Sequence, residues 1–167
     1  SVETIVRDDP ILNPRGLGFF FEEPVRIIVD RNLRISENSK IFDHKSKIVI
    51  YTQIENYSHK EFENHNVEVV YIEKSDSWLN DICKHMAKIY EINEALIESG
   101  PTFSGAMIDA DLVDELIIYT APKLFGNESL PLFKLKKIDK IKDAMECEYT
   151  DIRKIGNDLR LTMKIKK

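Results

Sequence analysis

The sequence contains few residues of the kinds that cross-link a chain or anchor it in a membrane. Only 2 cysteines occur among 167 residues, and Cys83 and Cys147 lie far apart in no metal-binding or redox spacing. No apolar run approaches the ~20 residues needed to span a bilayer, and no secretory signal pattern opens the chain. We therefore expect a cytoplasmic protein without a disulfide framework, a bound metal or a membrane partner.

An excess of positive charge is also missing. The net charge is −5, which argues against a protein that follows a phosphate backbone. The C-terminal third is locally lysine-rich, but Asp139 and Asp143 are interleaved among those lysines. This pattern favours a solvated surface over a nucleic-acid site, so no nucleic-acid partner is predicted.

Short apolar runs alternate with helical stretches, which predicts a single α/β domain. Near-continuous β-branched runs predict buried parallel strands at residues 25–29, 48–51 and 67–72. Apolar residues at three- and four-residue intervals then predict an amphipathic helix within residues 76–91, with Asp76 as its N-cap.

The second half of the chain predicts further elements and a terminal hairpin. We expect a short strand at 94–98, a helix at about 103–110 and a strand at 116–120. Residues 146–154 and 159–165 flank Gly156 and Asn157, which tolerate the positive φ of a tight turn. This order predicts a mixed, mostly parallel sheet flanked by helices, with an antiparallel hairpin at its C-terminal end.

Residues 98–105 form one candidate binding segment. A predicted strand ends in Glu98, and a glycine turn at Gly100 leads directly into a helix, in which Pro101 suits the first position. Free amide groups in a first helical turn bind anions, and Gly100 would let a diphosphate approach the backbone. Gly105 would permit close packing of this helix against a ligand or a sheet. An ordinary strand–turn–helix junction explains the same residues.

Residues 4–15 form a second candidate segment. Their Asp-Pro and Asn-Pro dipeptides predict a structured loop rather than a helix. Such a loop could present Asp8 to hydroxyl groups and Arg15 to a phosphate monoester. A salt-bridged loop without a ligand is the alternative.

These segments together resemble the C-terminal reductase domain of the bifunctional riboflavin-biosynthesis deaminase–reductase. The similar stretches, in order, are TIVRDDPILNPR (4–15), PVRIIVD (24–30), ESGPTFSG (98–105), DLVDELIIYTAPKLFG (111–126) and IGNDLRL (155–161). Each piece alone is weak, but their number, order and spacing make the resemblance specific over nearly the whole chain.

The resemblance implies a dihydrofolate-reductase-like fold, with NADPH as hydride donor. It also implies reduction of 5-amino-6-(5-phosphoribosylamino)uracil to its ribitylamino counterpart. By matching position, the substrate contacts would be Leu12, Arg15 and Glu98, with Arg15 on the ribose 5-phosphate. The cofactor contacts would be Thr4, Asp8, Arg31, Gly100, Pro101, Thr102, Phe103, Ser104, Gly105 and Ala106. Asp8 and Glu98 are the candidate catalytic residues, and no general acid is assigned.

The sequence departs from the family pattern in three places. The family's first strand and helices precede the position of Thr4, so we expect the chain to lack them. Arg31 stands where a small hydroxyl residue often lies near the adenosine 2′-phosphate, and it could pair with that phosphate or project into solvent. Ser99 replaces the first glycine of the more common double-glycine turn.

The resemblance also implies partners and leaves alternatives open. We expect a homodimer, and fusion to an upstream zinc deaminase domain whose His-x-Glu and paired-cysteine motifs do not occur in this sequence. One alternative is a reductase acting on the diamino-pyrimidinone before deamination. Another is a non-catalytic dimerisation or binding module of the same fold, and dihydrofolate reductase itself is a weaker rival.

Overall fold

A computed structural model describes residues 1–13, 23–43, 45–57, 62 and 66–166. Within these residues the helices are α1 (Val2–Asp8), α2 (Trp78–Tyr90) and α3 (Pro101–Asp109). The strands are β1 (Arg26–Val29), β2 (Ile48–Thr52), β3 (Val67–Tyr71), β4 (Glu115–Thr120), β5 (Cys147–Ile155) and β6 (Asp158–Ile165). Short 3-10 turns occupy Lys40–Asp43 and Ile141–Asp143. The chain divides into an N-terminal unit, Ser1–Gly100, and a C-terminal unit, Pro101–Lys167.

The N-terminal unit is built on a parallel sheet in the order β1-β2-β3. All five residues of the central strand β2 are buried, as predicted for a strand covered on both faces. Its alternate residues Ile48 and Ile50 join one core cluster with Val2 and Ile5 of α1. Val49 and Tyr51 join a second cluster with Trp78 and Ile82 of α2. Helices α1 and α2 therefore cover opposite faces of the sheet.

Helix α1 corrects the prediction that residues 4–15 form a loop throughout. Val2 and Ile5 are buried and lie one helical turn apart, so their burial against the sheet favours a helix at this end of the segment. Pro10 restricts only the residue before it, Asp9, which leaves the helix with a left-handed φ of 43°. The Asp-Pro dipeptide therefore ends a helix instead of preventing one.

Two further predictions in this unit were wrong. Residues 94–98 are irregular, and none of the described strands pairs with them; Leu96, at 78 % exposed, lacks the burial that a strand of this composition requires. The N-cap of α2 is Ser77 rather than Asp76, and its side chain does not bond to the helix amides. Its hydroxyl donates to Asp81 at 2.7 Å instead.

Helix α2 is fixed to the sheet at both ends of its buried face. The indole Nε1 of Trp78 donates to the carbonyl of Ile72 at 3.0 Å, and Tyr51 shares a 2.9 Å hydrogen bond with Nδ1 of His85. Burial raises the pKa of the Tyr51 phenol well above its ordinary value, so this group stays neutral. These bonds hold the start of α2 close to the carboxyl end of β3.

The C-terminal unit contains α3 and an antiparallel sheet in the order β4-β6-β5. The predicted hairpin is confirmed: Ile155 pairs with Asp158, and Gly156 in the turn between them has a φ of 61°. The α/β class is confirmed. In place of the single mixed sheet expected from the sequence, the structure has two three-stranded sheets, of which one is parallel and the other antiparallel. No helix in the described part of the chain is long and apolar enough to cross a bilayer.

Candidate functional site

Helix α1 carries two of the predicted cofactor contacts. Thr4 is half-buried and Asp8 is exposed, and their spacing of four residues places them on one face of the helix. Glu3 accepts a 2.9 Å hydrogen bond from Nη2 of Arg34, which ties α1 to the segment after β1. The helix thus gives Thr4 and Asp8 a common direction that a loop would not guarantee.

Asp9 anchors the segment after α1, a role that the sequence reasoning missed. Its carboxylate accepts from the backbone amide of Lys40 at 2.9 Å, and Nζ of the same lysine lies 3.3 Å away. The hydrogen bond from the backbone amide of Lys40 is the larger cause that lowers the pKa of this carboxyl, and the charge of the same lysine lowers it further. The Asp-Pro dipeptide indicates only the left-handed helix end, a conformation that aspartate tolerates, and carries no signal of the distant bond to Lys40.

The lowered pKa of Asp9 predicts a pH-dependent effect of Asp9→Asn. A carboxyl whose pKa is depressed by folding stabilises the fold above its unfolded pKa, and this contribution disappears as the pH falls through the folded value. Urea unfolding at about pH 7 and about pH 3 should therefore show a larger drop in the midpoint of the variant, relative to the unaltered chain, at the higher pH. An equal difference in midpoint between the variant and the unaltered chain at the two pH values would contradict the ionic role of this carboxylate.

Leu12 belongs to a backbone bend that is held by a buried arginine. Its φ is 53°, its side chain is half-buried against the core cluster of α1, and its carbonyl accepts from Nε of Arg26 at 3.0 Å. Arg26 had not been singled out from the sequence, because an arginine at the start of a strand gives no signal of a contact fourteen positions away. Arg15, predicted to bind the substrate phosphate, lies outside the described residues.

The carboxyl end of β1 presents Arg31, another predicted cofactor contact. Its side chain is exposed, and the guanidinium carbon lies 5.4 Å from the ring centroid of Trp78. Its carbonyl accepts from Thr52 Oγ1 at 3.2 Å and from the amide of Gln53 at 3.1 Å. Ligands of open α/β sheets bind outside the carboxyl ends of the strands, and Arg31 supplies positive charge there.

The predicted anion site lies at the start of α3. Pro101 is the first helical residue, as expected. Thr102 and Phe103 lie in the first turn of α3, where backbone amides have no acceptor within the helix itself. A Cβ at Gly100 would meet nothing within 4 Å, so space is open beside the turn. Both features suit the approach of a diphosphate.

Gly105 makes a close approach to protein, which is one of the two roles predicted for it; its contact with the cofactor stays a prediction. A Cβ at this position would lie 2.7 Å from the carbonyl carbon of Lys134. The amide of Lys134 also donates to Pro101 at 3.0 Å, which holds the two segments together. Gly105 is a packing residue of the C-terminal unit.

The remaining predicted residues are distributed over both units. Glu98 is exposed in the irregular segment that ends the N-terminal unit, to which Gly100 also belongs, whereas residues 101–106 begin the C-terminal unit. Thr102 is exposed, and Phe103, Ser104 and Ala106 are half-buried. Among the described residues, no group of histidine, cysteine or carboxylate side chains is arranged to hold a metal ion.

A parallel sheet covered by helices in the N-terminal unit, and a helix with an antiparallel sheet in the C-terminal unit, define an α/β protein. The family model described as the RibD C-terminal domain matches residues 1–161, and the chain belongs to this family. A curated relative in Buchnera aphidicola (subspecies Acyrthosiphon pisum), named 5-amino-6-(5-phosphoribosylamino)uracil reductase, is 32 % identical. The match covers 100 % of this chain and 85 % of that protein.

Other relatives are longer. The RibD riboflavin biosynthesis protein of Buchnera aphidicola (subspecies Baizongia pistaciae) is 31 % identical over 98 % of this chain but only 47 % of its own length. The structure of Acinetobacter baumannii RibD has a TM-score of 0.87 and 26 % identity, covering 99 % of this chain and 45 % of that one. The yeast reductase Rib7 shares the fold, with a TM-score of 0.74 at 17 % identity; the match covers 98 % of this chain and 72 % of that one. The chain therefore spans about half the length of the RibD proteins it matches.

Proposed function

We propose that this chain catalyses the reduction of 5-amino-6-(5-phosphoribosylamino)uracil to the corresponding ribitylamino compound in riboflavin biosynthesis, with NADPH as the cofactor. The observation that carries the proposal is the match, at 32 % identity, over the whole chain and 85 % of a relative with that name. The two units are both covered by one family model, which supports their forming a single reductase domain.

The residues of the chain fit a phosphorylated cofactor and substrate. The first-turn amides of α3 would hold the cofactor's diphosphate. Thr4 and Asp8, which share one face of α1, would contact its nicotinamide portion. Leu12, Arg15 and Glu98 would bind the substrate. When bound, a reduced nicotinamide supplies a hydride, and the protein's task is to align the acceptor carbon and exclude water.

The chemistry requires the ribosylamine to open before reduction. Opening gives an imine between C1′ and the amine nitrogen; hydride addition at C1′ and proton addition at nitrogen then give the ribitylamine. Asp8 and Glu98 are exposed carboxylates, suited to holding hydroxyl or amine groups of the ligands in this geometry. The electrons come from the nicotinamide, which is oxidised in the same step.

A direct assay of NADPH oxidation tests the proposed activity and its substrate. Purified chain is mixed with NADPH and with either the uracil substrate or the diamino-pyrimidinone that precedes deamination, and loss of the reduced nicotinamide absorbance is followed. We expect faster oxidation with the uracil. Faster reduction of the diamino-pyrimidinone would reverse the proposed order of steps. NADPH binding without turnover of either compound would favour a binding module.

We further propose that the functional protein is a homodimer and that a deaminase domain precedes this chain in the full-length protein. The RibD relatives are about twice as long as the matched region, which supports the second proposal. Sedimentation at micromolar concentration tests the first, and sequencing of the gene upstream of Ser1 tests the second.

Arg15→Ala tests the predicted phosphate contact. The change removes a charge-assisted hydrogen bond worth about 1.5–3 kcal/mol, so the KM for substrate should rise about tenfold or more. The KM for NADPH should change less than about twofold, because Arg15 is predicted to bind only the sugar phosphate. Initial rates with each ligand varied in turn measure both constants. A parallel loss for the two ligands would refute the assignment.

A further inference from the structure

Arg26 is a buried cation at the first residue of β1. The residue is only 3 % exposed, and its guanidinium makes two directed contacts, to the carbonyl of Leu12 at 3.0 Å and to Glu23 Oε2 at 3.3 Å. Its third nitrogen, Nη1, is also buried and has no hydrogen-bond partner among the residues that the structure describes. The bond that joins this residue to Lys47 uses the backbone amide, which any residue other than proline would supply, so the strand pairing does not depend on the arginine side chain.

Burial of this guanidinium is costly for the fold. A buried charge loses its hydration, and apolar residues of similar volume often replace such groups without loss of stability. The neighbouring β1 residue Ile28 shows that the sheet readily buries aliphatic side chains at this strand. The long side chain at position 26 therefore calls for an explanation beyond packing.

The Leu12 contact supplies that explanation. Leu12 has a φ of 53°, a left-handed conformation that a branched apolar side chain adopts at a cost. Arg26 bonds to the carbonyl of this residue, and Asp9 fixes the other end of the bend on Lys40. The segment 9–13, which we call the clamped loop, is thus held at both ends by nonlocal bonds.

We propose that Arg26 is a positioning residue for substrate binding, which acts by fixing the clamped loop. The proposal rests on the proposed reductase function, in which Leu12 and Arg15 bind the phosphoribosyl substrate. Arg26 itself would not touch the substrate; it holds the backbone conformation of Leu12. Loss of this bond frees the loop and weakens substrate binding, whereas the cofactor contacts on α1 and α3 do not depend on it.

The test compares Arg26→Lys with the matched control Arg34→Lys. Lysine keeps the charge but offers one ammonium group, which does not reproduce the forked contact with both Leu12 and Glu23. Arg34 is a mostly exposed arginine whose partner, Glu3, lies on α1, so its replacement controls for a general arginine-to-lysine effect. Hydrogen exchange of the amides of residues 9–13 and of β1–β3 is measured by mass spectrometry, together with KM for each ligand.

We expect Arg26→Lys to speed hydrogen exchange in the clamped loop and to raise the substrate KM about tenfold. This is the size of effect that corresponds to the loss of one charge-assisted hydrogen bond. Exchange in β1–β3 and the KM for NADPH should match those of the control. Unchanged exchange in the loop, or equal increases in both KM values, would overturn the proposal. Faster exchange throughout β1–β3 would show that Arg26 contributes to the stability of the whole unit, and this result would overturn the proposal as well.

The design separates this proposal from the reductase function. If the unaltered chain reduces neither pyrimidine, the proposed function fails, and the substrate role of Arg26 fails with it, even where loop exchange responds. If the unaltered chain is active and Arg26→Lys keeps the wild-type substrate KM, the reductase function stands and only the positioning role is lost.

Discussion

Gly105→Val is expected to destabilise the C-terminal unit and abolish measurable cofactor binding. A side chain at this position would collide with the backbone of Lys134, 2.7 Å from its carbonyl carbon and 3.0 Å from its nitrogen. Backbone atoms cannot rotate away as a flexible side chain does, so α3 or the Lys134 segment must move. Overpacking of this kind costs about 1–3 kcal/mol, and more where two backbones meet.

The collision should also reach the predicted anion site. Lys134 donates its amide to Pro101, and the amide of Lys136 donates to Asp109 at 3.1 Å, so this segment contacts both ends of α3. Displacing the segment would therefore alter the helix start whose amides are proposed to hold the diphosphate. Thermal unfolding and a titration of NADPH fluorescence measure the two consequences separately.

Gly100→Ala is the matched control for this prediction. A methyl group at Gly100 would meet no protein atom within 4 Å, so thermal stability should be unchanged or slightly raised. Because that open space is where the diphosphate is proposed to approach, NADPH affinity should nevertheless fall. A Gly105→Val chain with wild-type stability, or a Gly100→Ala chain with wild-type affinity, would contradict the respective role.

The elements that sequence reasoning predicted well are those whose burial pattern is local. The run around Ile50 has β-branched residues on both sides of the strand, which only a sheet covered on both faces explains, and β2 is indeed buried throughout. The helix around Ile82 shows its period directly in the sequence, and Gly156 identifies the hairpin turn without any tertiary information.

The predictions that failed depended on distant partners. Val2 and Ile5 become helical because the sheet buries them against Ile28, Ile48 and Ile50, and two buried apolar residues in seven are too few to reveal this. Residues 94–98 have strand-like composition, but a strand needs a neighbour to accept its backbone bonds, and no described strand pairs with them. Local propensity gave no information on either point.

The same difference between local and long-range features decides which parts of the candidate site could be predicted. The helix start at Pro101 and the exposed position of Arg31 follow from local sequence, since each depends on where one element begins or ends. The bonds that fix the clamped loop could not be predicted, because Asp9 contacts a residue thirty-one positions away and Arg26 one fourteen positions away. A contact over such a separation has no period or motif to mark it.

Arg31→Glu is expected to weaken NADPH binding about 100-fold while leaving NADH binding within about twofold of wild type. The two cofactors differ only by the 2′-phosphate, and the exposed guanidinium of Arg31 beside Trp78 is the group that would pair with it if the first of its two predicted roles holds. Substitution by glutamate removes a charge-assisted contact and adds repulsion. The backbone of Arg31 is independently fixed by Thr52 and Gln53, so the reversal should act through the side chain.

Arg34→Glu, three positions further along the same exposed segment, controls for a general change in surface charge. It makes the same charge reversal, but at an arginine paired with Glu3 and with no proposed cofactor contact. The quantity to compare is the ratio of NADPH to NADH affinity, because any partial loss of folded protein affects both cofactors equally and cancels. A ratio that falls equally in the two variants would show that long-range charge, not a contact at position 31, sets the preference. A ratio that falls only in Arg31→Glu, and does so less in high salt, is the result that a direct phosphate contact requires.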